Sequence, residues 1–296
     1  MSINEHPPHL HVPVLLNACL DVLQPKAGES YLDLTAGFGG HARAFLDRTA
    51  NYQDACCVDR DEMALRSLLD LSERGVRCIL SDFVSASQQL ASEGRRFDII
   101  LADLGVSSPQ LDRRARGFSF TSDGPLDMRM DSRQELTAAQ YLNTVSEAEL
   151  ADVIQRYGEE PKQVARRYAR AIIAARPLAT TGQLAHIILD AHVGRWRNIH
   201  PATRTFQAIR IRVNDELGQL ERLLPYLSQL LAPGGRVGII SFHSLEDRIV
   251  KRFFAEQAAS GYEAELRLLT KKPRYGTEDV HNPRARSAKL RAAVKT

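Results

Sequence analysis

Acids, glycines and a histidine fall where α/β proteins hold small ligands. Asp33 lies in the apolar run that starts at Tyr31, and Gly37, Gly39, Gly40 and His41 follow before a helical segment. Glycines let the backbone approach a ligand closely, and a helix N-terminus behind them carries partial positive charge. A nucleotide-like cofactor fits such a loop. Dinucleotide enzymes place a Gly-x-Gly-x-x-Gly turn here too, a pattern that tolerates Ala42 at its third glycine. Asp33 separates the two readings: a carboxylate there repels a pyrophosphate and attracts the ammonium of S-adenosylmethionine. Asp59 closes the next apolar run, at the offset where an acid accepts hydrogen bonds from ribose hydroxyls. Asp82 and Phe83 follow the third run, and a phenylalanine face can pack on adenine.

The fourth apolar run, 97–101, leads into Asp103-Leu-Gly-Val-Ser-Ser-Pro-Gln110. Amino-methyltransferases carry their fourth motif here, as Asp/Asn/Ser-Pro-Pro-aromatic. The match is partial, because Ser108-Pro109 is present but Gln110 stands where an aromatic is expected. An exocyclic amine is a poor nucleophile because its lone pair is delocalised into the ring. Hydrogen bonds from its N–H groups to a side-chain oxygen and a backbone carbonyl localise that pair. Holding the two reactants in line is worth up to about 7–11 kcal/mol. Ser107, Ser108 and the Pro109 carbonyl are the candidates for polarising the amine. The chemistry needs no metal, and the chain has no Cys-x-x-Cys pair for a structural zinc. No Pro-Cys motif lies beside a cofactor loop, which argues against cytosine C5 methylation through a cysteine. Ser241 and Ser244 lack the base pattern of a hydrolase triad. His243 follows a strand and either faces the site or is a hydrogen-bonded structural residue.

The elements that must position these residues alternate. Strands are expected at 31–34, 55–58, 76–80 and 97–101, with helices at 41–49, 61–74 and 84–93. Strands separated by helices imply right-handed βαβ units and a parallel sheet. The alternation stops near Pro109. The stretch 113–130 is polar and glycine-containing, yet its aromatic and methionine content argues for a functional lid rather than disorder. Helices follow: one after the Ser146-Glu-Ala-Glu149 capping box, one over 162–176 ending before Pro177, and one over 183–192. A long helical stretch, 205–231, with a break near Pro225, then precedes a tight turn at Pro233, a strand over 236–242 and a helix over 245–257. The predicted fold class is α/β, a Rossmann-like sheet with an inserted all-helical domain. The sheet domain is expected at 1–110 and 205–296, and the lid with the helical domain at 111–204.

Hydrophobic residues make up 44% and charged residues 25% of the 296 residues, an ordinary globular balance. No apolar run is long enough to span a membrane, and the N-terminus does not read as a signal peptide. Cys56 and Cys57 sit inside an apolar strand, as reduced thiols do in the cytoplasm. The net charge of +3 is uneven. Lys271, Lys272, Arg274, Arg284, Arg286, Lys289, Arg291 and Lys295 outweigh Glu278 and Asp279 in a basic tail. Such a tail is either solvated or in contact with a polyanion.

Longer motifs complete the pattern: Arg116-Gly-Phe-Ser-Phe120, Gly124-Pro-Leu-Asp-Met-Arg-Met130, Tyr157-Gly-Glu-Glu160, His200-Pro-Ala-Thr-Arg-Thr-Phe-Gln207 and Ser241-Phe-His-Ser-Leu-Glu-Asp-Arg248. With the loops above, they make the chain resemble the bacterial small-subunit rRNA (cytosine-N4)-methyltransferase family, also called MraW or RsmH. The likeness runs from His11 to Arg291. It implies S-adenosylmethionine as cofactor and, as substrate, the N4 amine of a cytidine in the decoding region of 16S rRNA. Carried onto this sequence, the cofactor contacts are Gly39, Gly40, His41, Asp59, Phe83, Asp103 and Gln110; Asp33 joins them from the charge argument. The chain departs from the family at Ala18, where Glu is frequent, and in a short 255–280 region. A DNA amino-methyltransferase would share the cofactor loops, but no separate DNA-reading domain is visible. A ribosome-binding factor without activity would not need those loops.

Arginines beside aromatics suit phosphate contact and stacking on a splayed base, so Arg113, Arg114, Arg116, Phe118 and Phe120 are candidates for RNA binding. The alternative is a phenylalanine pair packed under a lid. Arg195, Trp196 and Arg197 form a second such cluster, or an exposed turn with one anchoring Trp. The partners expected are the small ribosomal subunit and, as a further candidate, a second copy of the chain; no membrane and no metal are expected.

Overall fold

The computed structural model describes residues 13–195, 199–259, 264–280 and 282–296. His11, Trp196 and Arg197 lie outside the described residues. Two compact units emerge. One comprises the chain up to Leu104 together with Leu223–Thr296, the other Gly105–Arg222.

The first unit is built on eight strands: β1 Tyr31–Asp33, β2 Cys56–Asp59, β3 Arg77–Leu80, β4 Phe97–Asp103, β5 Leu231–Ser241, β6 Leu266–Leu268, β7 Arg274–Tyr275 and β8 Lys289–Lys295. Their order is β3-β2-β1-β4-β5-β8-β6, with β7 also on β8. The first five are parallel, and β8 runs antiparallel between β5 and β6. Strands covered on both faces read as continuous apolar runs, which is why 97–101 carries no alternation. Tyr31, Leu32, Ile99, Ile100 and Leu101 are fully buried. The Rossmann-like order places the crossover between β1 and β4, whose carboxyl ends carry Asp33 and Asp103.

Helices α1 Leu16–Leu23, α2 Gly40–Thr49, α3 Glu62–Arg66, α4 Leu69–Glu73 and α5 Phe83–Ser92 belong to this unit. The single helix expected over 61–74 is two. The Ser67 carbonyl accepts from Arg43 Nη2 at 2.8 Å, and the Ser67 hydroxyl donates to the Ala64 carbonyl. The expected turn at Pro233 is instead a bulge inside β5, where the register jumps from Phe97↔Leu231 to Ile99↔Arg236.

The basic tail is partly built into the sheet through β8, while Lys271, Lys272, Arg284 and Arg286 are exposed. Leu290, Ala292 and Ala293 of β8 are fully buried. Arg291 Nε donates to Asp247 Oδ1 at 2.6 Å, and Lys289 Nζ to Asp247 Oδ2 at 3.1 Å. Burial opposes the Asp247 charge, yet these two cations hold its carboxyl below the usual range. Lys295 donates to the Ser228 and Leu231 carbonyls, and Arg274 pairs with Glu278.

The second unit is helical, as expected: α6 Ser108–Asp112, α7 Ala138–Thr144, α8 Glu147–Tyr157, α9 Lys162–Ala174, α10 Thr181–Ala191 and α11 Ala202–Asn214. α12, Glu216–Leu230, runs on into the first unit. The break between α11 and α12 is at Asp215, with φ 49°, and Pro225 lies inside α12. This unit therefore extends past the boundary at 204/205 drawn from sequence, because Phe206, Ala208 and Ile209 pack into its core. The 113–130 stretch packs there too, through Phe118, Leu126, Met128 and Met130. Asn214 fastens it, accepting from Met130 N and donating to the Met128 carbonyl.

Candidate functional site

The carboxyl ends of β1, β2 and β4 bring three acids to one edge of the sheet. Asp33 is only 1% exposed. Its Oδ2 accepts from Tyr31 OH at 2.9 Å and its Oδ1 from Thr35 N at 3.1 Å. Burial pushes its carboxyl up to about 7, against those two hydrogen bonds and with the Asp59 charge adding to the rise. Asp59 accepts from Gly37 N and Asp61 N, both at 2.8 Å, so it shapes the glycine loop directly. Burial raises it as well. Asp103 is also raised well above its ordinary value, by burial first and then by the Asp33 and Glu246 charges.

Asp103 is placed through its backbone, since its N–H donates to Thr35 Oγ1 at 2.6 Å. Its Oδ2 lies 3.9 Å from His41 Nδ1, whereas its Oδ1 is buried with no hydrogen-bond partner. His41 is itself buried and contacts the Val14 carbonyl through Nε2 at 3.0 Å. A carbonyl accepts only, so Nε2 carries a proton and donates to it, with Nδ1 on the Asp103 side of the ring.

The two glycines are required by the fold itself. Gly39 has φ 81°, and a Cβ there would stand 2.5 Å from Leu68 Cδ2 and 2.3 Å from Arg43 Nη1. A Cβ on Gly40 would stand 2.5 Å from Pro13 Cγ. Arg43 straps the loop by donating to the Phe38 carbonyl at 2.7 Å and to Asp70. Phe83, 8% exposed, starts α5 behind Asp82, whose carboxylate accepts from Val84 N and Ser85 N. Leu80 stands in register with Asp59 and is 37% exposed.

Sequence reasoning missed Tyr31, Thr35, Arg43 and Leu80. Thr35 and Arg43 flank the glycines, and the hydroxyl of one and the guanidinium of the other were readable as ligands for loop backbone. Nothing in the sequence marked Tyr31 or Leu80 apart from ordinary strand residues.

In the second unit, Ser107 caps α6 and Pro109 opens it. Gln110 is buried, and its Oε1 accepts from Ser107 N at 3.0 Å. The Pro109 carbonyl accepts from Arg113 N at 3.3 Å, which occupies one of its two lone pairs. Arg113 and Arg114 are exposed. Arg116 is tied to the Arg129 and Met130 carbonyls, at 3.0 and 2.9 Å. Phe118 is a core residue, which corrects its placement on an RNA-facing surface: stacking on a base would pull it from contact with Leu126 and Met128 and their neighbours. Phe120 is half-buried, 4.8 Å from the ring centroids of both Phe206 and His200. His243 caps α13, Ser244–Ala258, back in the first unit.

Residues 8–296 match the model of the MraW methylase family. A ribosomal RNA small subunit methyltransferase H from Cyanothece is 49% identical over 98% of this chain and 96% of its own length. One from Gluconobacter oxydans is 48% identical over 96% of this chain and 93% of its own. An rRNA methylase from Streptococcus thermophilus is a distant structural neighbour, with TM-score 0.43 and 11% identity, covering 99% of both chains. The extent of the family match, together with relatives nearly half identical along the whole chain, is decisive: this protein belongs to the MraW methylase family.

Proposed function

We propose that the chain transfers the methyl group of S-adenosylmethionine to the N4 amine of a cytidine in the decoding region of small-subunit rRNA, in the cytoplasm. The observation that carries this reading is the set of three acids at adjacent strand ends, Asp33 buried and Asp59 and Asp103 half-buried, each with its carboxyl raised by desolvation. Acids that repel one another in a desolvated edge are completed by a cationic ligand. The relatives named for small-subunit rRNA methylation supply the substrate class.

S-adenosylmethionine, when bound, supplies an electrophilic methyl on a sulfonium. The residues that would hold it are Asp33, Gly39, Gly40, His41, Asp59, Phe83, Asp103 and Gln110, with Leu80 as an apolar wall beside Asp59. Asp33 and Asp103 offer negative charge to the ammonium and sulfonium; Asp59 accepts from ribose. Ser107, Ser108 and the Pro109 carbonyl are the candidates for holding the amine. Arg113 and Arg114, both exposed, would supply phosphate contact. No metal enters the chemistry. Whether two copies act together is independent of this site.

The test incubates the protein with labelled S-adenosylmethionine and, in parallel, undermethylated small subunits, naked rRNA and duplex DNA. Label recovered as N4-methylcytidine from the subunits is the expected result. Label in DNA, or no label with cofactor bound, overturns the reading.

A further inference from the structure

Beyond β5, the sheet edge that carries the acids continues into a basic rim. β8 runs antiparallel to β5 with Lys289 in register with Ser241, so its amino end lies at the carboxyl end of β5. β6 is antiparallel to β8, so its carboxyl end, followed by Lys271 and Lys272, lies at the same edge. β7 sets Tyr275 opposite Lys289 there. Residues 282–288 lead directly into β8 and bring Arg284 and Arg286. Lys271, Lys272, Tyr275, Arg284 and Arg286 are all exposed, Tyr275 by 46%.

The backbone of this rim is held by the fold. Between the exposed residues, Thr270, Pro273, Gly276, Ala285 and Ala288 are buried. Gly276 N donates to the Ala288 carbonyl at 2.7 Å, and a Cβ on Gly276 would collide with the Ala285 carbonyl oxygen, so two passes of chain lie in direct contact. The acids of the neighbourhood are committed inside the fold. Glu278 pairs with Arg274, Asp279 accepts from Leu15 N at 3.1 Å, and Asp247 holds Lys289 and Arg291. What faces outward is therefore a net positive surface with one exposed aromatic ring. A surface whose backbone is fixed in advance loses less freedom when a ligand arrives.

We propose that this rim is a docking shelf for the single-stranded RNA that flanks the target nucleotide, with Lys271, Lys272, Arg284 and Arg286 meeting phosphates and Tyr275 stacking on a base. The shelf rests on the methyl-transfer reading above and deepens it by naming where the first unit meets the substrate. A base that undergoes chemistry is taken out of its stack, and a positively charged groove with stacking rings holds the strand around it. β8 is two strands from β4, about 10 Å at the usual strand spacing. A strand with its target at the acid edge thus passes along the rim within a few nucleotides. Cations interleaved with an exposed ring suit that partner. A lipid surface is met by an amphipathic helix or a lipid anchor, whereas the rim offers short strands and turns.

The test measures binding of the full-length protein to undermethylated small subunits across a salt series, with cofactor affinity followed by calorimetry. K271A/K272A and R284A/R286A should each weaken subunit binding several-fold at low salt. Each should lessen the slope of log affinity against log salt by about 2, one unit for each cation removed. Y275A should weaken binding about tenfold with the slope unchanged, as loss of one stacked base does. Cofactor affinity should stay at the wild-type value in all three, which also reports that each variant is folded. Arg96, exposed beside the amino end of β4 at the opposite edge, is the control, and R96A should leave the slope unchanged. Slopes equal to wild type in both double variants, or a slope that falls as far in R96A, would overturn the shelf and leave the rim as a solvated surface. Wild-type binding to vesicles of anionic phospholipid that is lost in the double variants, while subunit binding is kept, would overturn it in favour of a lipid surface. These equilibrium measurements need no methyl transfer. A wild type that binds subunits through the rim yet leaves N4 unmethylated therefore overturns the methyl-transfer reading alone.

Discussion

The two halves of the candidate site treat their polar groups in opposite ways. At β1 and β2, the acids are held by the fold: Asp33 by Tyr31 and Thr35, Asp59 by the Gly37 and Asp61 amides. At β4 and just beyond β5, Asp103 Oδ1 and His243 Nε2 make no hydrogen bond, although Nε2 lies 3.2 Å from Glu246 Oε1. The first arrangement is a cradle formed in advance, its shape independent of what enters. The second carries buried polar atoms that the fold itself leaves unsatisfied. Preorganisation suits a cofactor that is always the same, whereas unsatisfied buried atoms cost stability.

The largest effect should come from the unsatisfied half. Asp103→Ala removes one acid from the cofactor edge. Methylation should fall by at least about 100-fold, the scale of losing an electrostatic contact to reacting groups. Cofactor affinity by calorimetry should fall with it. Unchanged affinity and activity would break the contrast between the halves. Next in size is Asn214→Ala, which tests whether the 113–130 segment is fastened rather than a free lid. Asn214 is 4% exposed and joins Met128, Met130 and Arg210 by hydrogen bonds. Its loss should destabilise the helical unit by about 2–4 kcal/mol, summing bonds of about 1 kcal/mol with the cost of an unpaired buried N–H. A denaturant midpoint within error of wild type would mean that apolar packing alone holds the segment.

The preformed half makes a pH prediction whose sign can be worked out. Burial lifts the Asp33 carboxyl to about 7 in the folded chain. The unfolded chain has the ordinary, lower value, so over the interval between them the folded state binds more protons. Stability contributed by Asp33 is therefore present at low pH and is lost as pH rises toward about 7. A cationic ligand favours the ionised form. Below about 7, S-adenosylmethionine binding must expel the proton, so affinity should climb with pH and then level off. Calorimetry in buffers of different ionisation enthalpy would count the released proton. In Asp33→Asn the climb should flatten; an unchanged climb would assign it to another acid, with Asp103 next to examine.

The cofactor half was the more legible in sequence, for a physical reason. Asp33, Gly39, Gly40 and Asp59 act where strands end, and strand ends show as apolar runs meeting glycines and acids. The positions of β1 to β4 followed from the same signal. Part of the tail misled because charge was counted without partners. Lys289 and Arg291 look like solvent-seeking residues until Asp247, far away in sequence, is seen between them. Phe118 misled in the same way, since an aromatic flanked by arginines looks alike in a core and on an RNA surface. α7, only seven residues long, was overlooked even though Thr137 and Gln140 form a capping box at its start. Pairings that close only in three dimensions leave no trace in local spacing.

The smallest effects should come from Arg113 and Arg114. Both are exposed, and Arg113 closes α6 by donating its backbone N–H to the Pro109 carbonyl. Neither side chain contributes to the core of the helical unit. Changing either to alanine should therefore leave stability within about 0.5 kcal/mol, as surface substitutions do. If the guanidinium meets a phosphate, RNA affinity should fall a few-fold at low salt for any sequence offered. The slope of log affinity against log salt should then lessen by about 1 per arginine removed. Arg116→Ala is the contrasting case, because that guanidinium is committed to the Arg129 and Met130 carbonyls. It should lower stability and leave the salt slope nearly unchanged. A salt slope that moves with Arg116 and not with Arg113 or Arg114 would reverse the assignment, placing the RNA contact on the strapped arginine and making the two exposed ones mere solvating groups.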